Sequence, residues 1–146
     1  MAENRPKIFV DSNVLVALYR LDDSLHQQAV QLAADLDKLK PLYVTNNYCI
    51  NEALTILLLR TKSLEVSIRL GQLAYEKINP WFKVLQVDKH IQKEAWDLFQ
   101  QQKPNDQISF ADCTIIAQVR DQNITQITSF DRNLQKLTNN NLKIVG

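Results

Sequence analysis

Acidic residues without a basic neighbour are the first candidates for chemistry in this sequence. On a helix, the neighbours of a residue stand three or four positions away. Asp35 has Lys38 at such a position, whereas Glu52 and Asp112 have no lysine or arginine there. Both lie in mostly apolar helical stretches, where burial of an unpaired charge costs free energy or shifts the pKa. We therefore expect Glu52 and Asp112 to share a bound cation.

A third acid, Asp11, separates two apolar runs, 8–10 and 14–15. A carboxylate held between buried segments cannot easily turn to solvent, so its ionised form needs a metal ion or hydrogen-bond donors. The alternative to a metal site is a helix cap, because Asp11, Ser12 or Asn13 would each cap the following helix well. At this point both interpretations stay open.

Carboxylates without a softer ligand favour Mg²⁺ or Mn²⁺ over zinc or copper. Such an ion indicates phosphoryl-transfer or phosphodiester chemistry, because it polarises phosphate and activates water near neutral pH. His26 and His90 stand in no ligand motif, and we expect both to be surface or packing residues. The sequence contains no Walker loop, dinucleotide-binding glycine pattern or Ser-His-Asp order that would indicate a different chemistry.

Short apolar segments alternate with longer amphipathic ones, which is typical of a parallel sheet covered on both faces. The expected strands are 7–11, 42–45, 83–87, 125–129 and 142–145. The expected helices are 13–20, 24–39, 46–61, 64–78, 89–102 and 109–121, with a helical turn near 131–137. Ligands of such sheets bind beyond the carboxyl ends of the strands. Asp11 follows the first strand and Asp131 the fourth, so both should lie at one rim, although Asp131 could instead cap a turn and pair with Arg132.

The totals indicate an ordinary globular protein. A length of 146 residues with 45% hydrophobic and 23% charged residues predicts a single domain over 1–146. A net charge of +1 does not by itself indicate nucleic-acid binding. Cys49 and Cys113 are too far apart for a cysteine cluster and are expected to be buried free thiols. With no apolar stretch of membrane-spanning length and a polar start that does not match a secretory signal, we expect a cytoplasmic protein.

The sequence resembles the PIN-domain nucleases, especially the VapC-type toxin ribonucleases of toxin–antitoxin pairs. The matches occur in order over nearly the whole chain, and only the ordered set is specific. They are Asp11-Ser12-Asn13-Val14-Leu15, Asp23-Ser24-Leu25-His26-Gln27-Gln28-Ala29, Asn51-Glu52-Ala53-Leu54, Ser109-Phe110-Ala111-Asp112-Cys113 and Thr128-Ser129-Phe130-Asp131-Arg132.

The resemblance implies a three-layer α/β/α sandwich around a mainly parallel sheet of four or five strands, with Mg²⁺- or Mn²⁺-dependent endoribonuclease activity. It assigns the catalytic and metal-binding carboxylates to Asp11, Glu52, Asp112 and Asp131. It assigns polar groups beside these acids, or facing the substrate, to Ser12, Asn13 and Ser129. It also implies an RNA substrate, a homodimer and an antitoxin protein whose C-terminal segment covers the active site.

Within this assignment, Asp11 and Asp112 would carry a first metal ion. Glu52 and Asp131 would complete its shell or support a second one. The candidates for holding the substrate, chosen by proximity in sequence to the acids, are Arg20, Arg60 and Arg132.

Three other functions compete with this one from the sequence. A phosphatase of the haloacid dehalogenase type is discounted, because it needs Asp-x-Asp after the first strand and Asn13 at the third position leaves no acid to protonate the leaving group. A non-catalytic module could use the acidic pocket for regulation or docking. A PIN nuclease could also act in RNA processing or on DNA structures, with the same chemistry.

Overall fold

A five-stranded sheet forms the centre of the fold, in a computed structural model that describes residues 5–137 and 143–146. The strands are β1 (Lys7–Val10), β2 (Leu42–Asn46), β3 (Phe82–Leu85), β4 (Gln126–Thr128) and β5 (Lys143–Val145). The helices are α1 (Ser12–Tyr19), α2 (His26–Asp37), α3 (Asn47–Thr61), α4 (Leu64–Tyr75), α5 (Lys89–Gln101) and α6 (Phe110–Asp121). A 3₁₀ helix follows β4 over Arg132–Leu137.

The strand order is β3-β2-β1-β4-β5, and every neighbouring pair is parallel. The chain therefore moves outward from β1 through β2 to β3 and then crosses back to add β4 and β5 on the other side. The direction of winding changes between β1 and β4. In open parallel sheets the connections diverge at such a point and leave a crevice beyond the carboxyl ends of the strands.

Helices cover both faces of the sheet, which confirms the predicted three-layer α/β/α sandwich. Successive side chains of a strand point to opposite faces, and β1 divides its side chains in this way. Val10 joins an apolar cluster that includes Leu15 of α1 and Leu57 of α3. Phe9 joins a cluster on the other face with Ile115 of α6.

Polar caps determine where the site-bearing helices begin. The Asn46 side chain accepts a hydrogen bond from the backbone N–H of Cys49 at 2.9 Å, and α3 begins immediately after it. The Ser109 hydroxyl accepts one from the backbone N–H of Asp112 at 3.0 Å, at the start of α6. Each cap satisfies a backbone donor that has no partner within its helix. Glu52 and Asp112 therefore fall in the first two turns of their helices.

Two predicted helices are longer than the observed ones. Helix α2 begins at His26 rather than at residue 24, because the Asp23 carboxylate accepts the N–H of Leu25 at 2.8 Å and its carbonyl accepts that of His26. Helix α4 ends at Tyr75 rather than at residue 78. The N–H of Ile78 turns back to the carbonyl of Gln72 there.

The third predicted strand, 83–87, is also placed too far along the chain. Strand β3 ends at Leu85, and the N–H of Val87 donates to the Asn47 side chain at 2.7 Å instead of to a neighbouring strand. The predicted start of the fifth strand, residue 142, lies outside the described residues, and β5 is observed from Lys143.

Cys49 and Cys113 are buried free thiols, as the sequence predicted. Within the ranges that the structure describes, no helix is both long and apolar enough to cross a membrane.

Two leucines of α3 provide a matched test of the packing between α3 and the sheet. Leu57 is 0% exposed and Leu59 is 69% exposed. We expect Leu57→Ala to lower the free energy of unfolding by about 2–5 kcal/mol, because it leaves a cavity in the core. Leu59→Ala should change it by less than about 0.5 kcal/mol. Urea unfolding of both variants measures the difference, and equal effects would contradict the observed orientation of α3.

Candidate active site

A cleft of about 660 Å³ opens beyond the carboxyl ends of the strands. It is lined by side chains from α1, α3, the start of α6 and the segment that follows β4. All four predicted acids line it, namely Asp11, Glu52, Asp112 and Asp131. Ser12 and Asn13 also line the cleft, and Ser129 is buried behind it in contact with Asp11. The structure thus brings together residues that are up to 120 positions apart in the sequence.

Asp11 is both a helix cap and a member of the cleft, so the two interpretations of this residue are compatible. It is 4% exposed, and its Oδ1 accepts the backbone N–H of Ser12 at 2.7 Å. Its Oδ2 accepts the hydroxyl of Ser129 at 2.6 Å. The pKa of Asp11 is raised to about 6, mainly by burial and to a smaller extent by the negative charges of Glu52 and Asp131, although the two hydrogen bonds lower it.

Asp112 lies in the first turn of α6 and is 7% exposed. Its pKa is raised to about 8, mainly by burial and then by the negative charge of Asp11. A hydrogen bond between the Asp112 and Asp131 carboxyl groups acts in the same direction. Without a cation, this group therefore keeps a proton near neutral pH.

Asp131 combines a turn cap with a place in the cleft. Its backbone N–H donates to the Ser129 hydroxyl at 3.0 Å, and its Oδ1 accepts the N–H of Asn133 at 2.9 Å. The expected cap is therefore present. The alternative ion pair with Arg132 does not occur in the part of the chain that the structure describes.

The expected burial of Glu52 is wrong. Its side chain is exposed at the mouth of the cleft, and its Oε2 accepts the Ser12 hydroxyl at 2.9 Å. Several apolar residues near it in sequence turn away from the cleft into the core, where Ile50, Ala53 and Leu57 are fully buried. Glu52 lines the same cleft as the other acids, but its side chain is exposed to solvent.

Asn13 links the two strand ends that border the cleft. Its Nδ2 donates to Ser129 Oγ at 3.4 Å, and its Oδ1 accepts the backbone N–H of Phe130 at 3.1 Å. These contacts tie the start of α1 to the segment after β4. They hold the Ser129 hydroxyl where it reaches Asp11.

The sequence did not identify every group in the cleft. Ser109 lines it while capping α6, and its position three residues before Asp112 is a recognisable cap spacing. The thiol of Cys49 lies 3.9 Å from Asp11 Oδ1, and no feature of the sequence indicated that contact. Burial raises the pKa of this thiol, so it is a protonated neighbour of the acids.

The basic candidates separate into two groups. Arg20 and Arg60 line the cleft, whereas Arg132 is exposed and is not among its lining residues. Neither histidine lines it: His26 Nδ1 lies 2.7 Å from the carbonyl of Ala17, and His90 is on the surface. The histidine predictions are confirmed in this respect.

The donor chemistry of the cleft suits a hard divalent ion, because its ligands are carboxylate and hydroxyl oxygens. The raised pKa values of Asp11 and Asp112 also indicate negative charge that a cation would neutralise. Within residues 5–137 and 143–146, no three His, Cys, Asp or Glu side chains are already grouped as metal ligands. Instead, Ser12 and Ser129 hold carboxylate oxygens of Glu52 and Asp11, and these hydroxyls would have to yield some of those oxygens to an ion.

Comparison with known proteins identifies relatives over most of the chain. The profile of a family described as PIN domain matches residues 8–140. No curated protein matches the sequence. One similar solved structure is VapC20 of Mycobacterium tuberculosis, described as a toxin that cleaves the sarcin-ricin loop. Its sequence is 25% identical to this one and its TM-score is 0.77, and the alignment covers 88% of this chain and 93% of VapC20. FitAcB from Neisseria gonorrhoeae is 17% identical with a TM-score of 0.64, over 95% and 96% of the two chains, and shares the fold.

The buried acids predict that the protein without divalent ions loses stability as the pH rises. Asp112 ionises at its ordinary value of 3.8 when unfolded and at about 8 when folded. Between these values the folded state holds the extra proton, so the free energy of unfolding falls from about pH 4 to pH 8 and then levels off. Asp112→Asn should remove this loss and raise stability at pH 8 by about 2–4 kcal/mol. Urea unfolding in EDTA at several pH values measures the effect.

Asp97→Asn is the matched control, because Asp97 is on the surface of α5 beside Lys93. It should leave the pH profile unchanged. Adding Mn²⁺ at pH 8 should raise the melting temperature of the wild type more than that of Asp112→Asn, since an ion that binds only the folded state stabilises it. If the free energy of unfolding of Asp112→Asn falls with pH as steeply as that of the wild type, the buried, raised-pKa state of Asp112 is contradicted.

Proposed function

The chain belongs to the PIN domain family, and from that membership together with its acidic cleft we propose that it is a Mg²⁺- or Mn²⁺-dependent endoribonuclease. Convergence of four carboxylates from separate elements at the winding change of the sheet supports this most directly. The burial of Asp11 and Asp112 adds to the support, because two such acids in one cleft are costly unless a cation compensates them.

In the proposed enzyme, Asp11 and Asp112 hold the first divalent ion, and Glu52 and Asp131 complete its shell or hold a second. When bound, the ion supplies Lewis-acid polarisation of the phosphodiester, activation of the attacking water and charge stabilisation of the leaving oxygen.

The protein itself orients the carboxylates by hydrogen bonds and supplies a positive electrostatic potential from helix N-termini. The hydroxyls of Ser129 and Ser12 fix the carboxylates of Asp11 and Glu52 by hydrogen bonds of 2.6 and 2.9 Å. The first turns of α1 and α6 line the cleft together with Asp11 and Asp112. Helix N-termini favour negative charge, so they stabilise the carboxylates and also attract a phosphate group.

The substrate class and the biological role follow from the VapC-type resemblance. VapC20 is described as a toxin that cleaves the sarcin-ricin loop, and it is similar to this chain over most of both lengths. We propose that this chain likewise cleaves RNA and acts as the toxin of a toxin–antitoxin pair. Because both cysteines are free, we also propose a cytoplasmic location, where thiols stay reduced.

An antitoxin protein and a second copy of the chain are the proposed partners. Exposed apolar side chains lie on both sides of the turn between α3 and α4, namely Leu58, Leu59, Leu64 and Ile68. Apolar surface of this kind is commonly buried in protein contacts. It is available to an antitoxin or to a homodimer.

Substitution of the buried acids tests the proposed activity. Wild-type protein incubated with structured RNA and Mn²⁺ should produce discrete fragments, and EDTA should prevent this. Asp11→Asn and Asp112→Asn should each lower kcat/KM by at least about 100-fold, because each removes a proposed metal ligand. Circular dichroism should show an unchanged fold, since less negative charge remains in the cleft.

Glu65→Gln is the control, because Glu65 lies on the surface of α4 and pairs with Arg69 at 3.1 Å. It should cleave RNA at the wild-type rate. Full activity in both aspartate variants would reject the proposed site. RNA that stays intact with wild-type protein in Mn²⁺ would instead indicate a binding module, and preferential cleavage of DNA would indicate a different substrate.

A further inference from the structure

The acidic cleft continues as a groove along α1 and α3. Each helix contributes residues at steps of four, which places them on one side of the helix. The contributing residues are Ser12, Val16 and Arg20 from α1 or its C-terminal cap, and Glu52, Ile56 and Arg60 from α3. Along these two helices the groove has acids at one end, Ile56 with the buried Val16 beside it in the middle, and two arginines at the other end, where Asp22 and Asp23 also line the cleft.

The two helices lie in register. The hydrogen bond from Ser12 Oγ to Glu52 Oε2 joins their first turns at 2.9 Å. Both helices leave the carboxyl ends of neighbouring parallel strands, β1 and β2, so they run in the same general direction. Arg20 and Arg60 stand eight residues further along, which corresponds to about 12 Å at 1.5 Å per residue.

Arg20 is fixed in place but keeps free donors. Its Nε lies 2.9 Å from Asp22 Oδ1, and its side chain is 24% exposed. A guanidinium group has five N–H donors, so this ion pair leaves others for a second anion. Asp22 and Asp23 also line the cleft, but Arg20 pairs with the first and the N–H of Leu25 donates to the second.

Arg60 lies exposed in the last turn of α3. It has no ion pair with any acid in the described parts of the chain. A cation in the last turn of α3 stabilises the negative end of the helix dipole, which would explain Arg60 by itself. The helix dipole does not explain why Arg20 lies at the same end of the groove. Arg20 and Arg60 line the same end of one cleft, and guanidinium groups are well suited to binding phosphate.

We propose that Arg20 and Arg60 form a phosphate subsite that holds the RNA backbone about 12 Å from the acids, with Ile56 contacting the sugars or bases between. This subsite rests on the proposed RNA cleavage. A stacked strand advances about 3.4 Å per nucleotide, so at most three or four nucleotides separate the bound phosphate from the scissile one. The groove then fixes the direction and position of the strand, and the acids cut it.

Salt dependence of RNA binding provides the test, because each phosphate that the protein neutralises releases counterions. The probe is a fluorescent 12-nucleotide single-stranded RNA, bound in Mg²⁺ by protein that carries Asp11→Asn to prevent cleavage. For single strands, each neutralised phosphate adds about 0.7 to the magnitude of the slope of log K against log salt. Because Arg20 and Arg60 share one phosphate, replacement of both by glutamine should reduce the slope by about that amount, and Arg60→Gln alone should reduce it by part of that amount.

Arg120→Gln is the matched control, because Arg120 lies in the last turn of α6, at the end away from the cleft. It removes the same charge and should leave the slope unchanged. Equal slopes for Arg60→Gln and Arg120→Gln would overturn the subsite. It would also be overturned if the protein with Asp11→Asn alone bound RNA without salt dependence or did not bind RNA. Arg60 is exposed, so its replacement leaves the fold intact and the result interpretable.

Neutral phosphates locate the contact along the strand. One phosphate at a time is replaced by a methylphosphonate, and its position is counted from the cut that the wild type makes. Replacement of the one phosphate that occupies the subsite, at most four nucleotides from the cut, should weaken RNA binding. The same replacement should not weaken binding to protein in which both arginines are glutamine. Equal weakening at every position would contradict a defined subsite.

Cleavage kinetics distinguish failure of the subsite from failure of the proposed activity. In otherwise wild-type protein, Arg60→Gln should raise KM for RNA while kcat stays within about twofold, because a remote contact binds ground and transition states alike. RNA cleavage with unchanged KM and salt slope would reject the subsite alone. A reduced salt slope without any cleavage by the wild type would reject the nuclease and leave an RNA-binding groove.

Discussion

Negative charge buried at the base of an open cleft is the constraint on which this molecule depends. Asp11 and Asp112 are both more than nine-tenths buried, and burial together with neighbouring acids raises the pKa of each. Such a group of acids is stable only when protons, hydrogen-bond donors or a cation compensate it. Without a cation the structure uses a proton on Asp112 and hydroxyl donors such as Ser129, and these are the features that a divalent ion would replace.

The fold makes this arrangement possible by supplying rigid elements that converge from different parts of the chain. The change of winding between β1 and β4 opens the crevice, and buried hydrogen bonds set the helices around it. Asn46, which is fully buried, donates at 3.3 Å to both Thr114 and Gln118 and so fixes the start of α3 against α6. Glu52 and Asp112 are carried by these two helices. The relative position of the acids therefore depends on a polar network that does not itself face the cleft.

Local pattern predicted the sheet, the six helices and three of the acids, Asp11, Glu52 and Asp112, whereas the full set with Asp131 came from the family resemblance. Alternating apolar segments identify buried strands, and an acid directly after a strand, such as Asp11, must lie at the rim of the sheet. It failed where long-range contacts decide the outcome. Glu52 was expected to be buried because apolar residues surround it in sequence, but the helix turns Ile50, Ala53 and Leu57 into the core and leaves Glu52 facing the cleft. Strand β3 ends early because Val87 bonds to the distant Asn47 side chain, and no local pattern records the approach of the Cys49 thiol to Asp11.

Anomalous X-ray scattering from crystals soaked in Mn²⁺ tests most directly whether the acidic cleft is a divalent-ion site, because it locates the ion without relying on activity. The account predicts a strong anomalous peak within coordination distance of carboxylate oxygens of both Asp11 and Asp112. It further predicts that the Ser129 hydroxyl gives up or shares the Asp11 oxygen that it now contacts. A cleft without a peak, or a peak bound only by surface carboxylates elsewhere, would contradict the account.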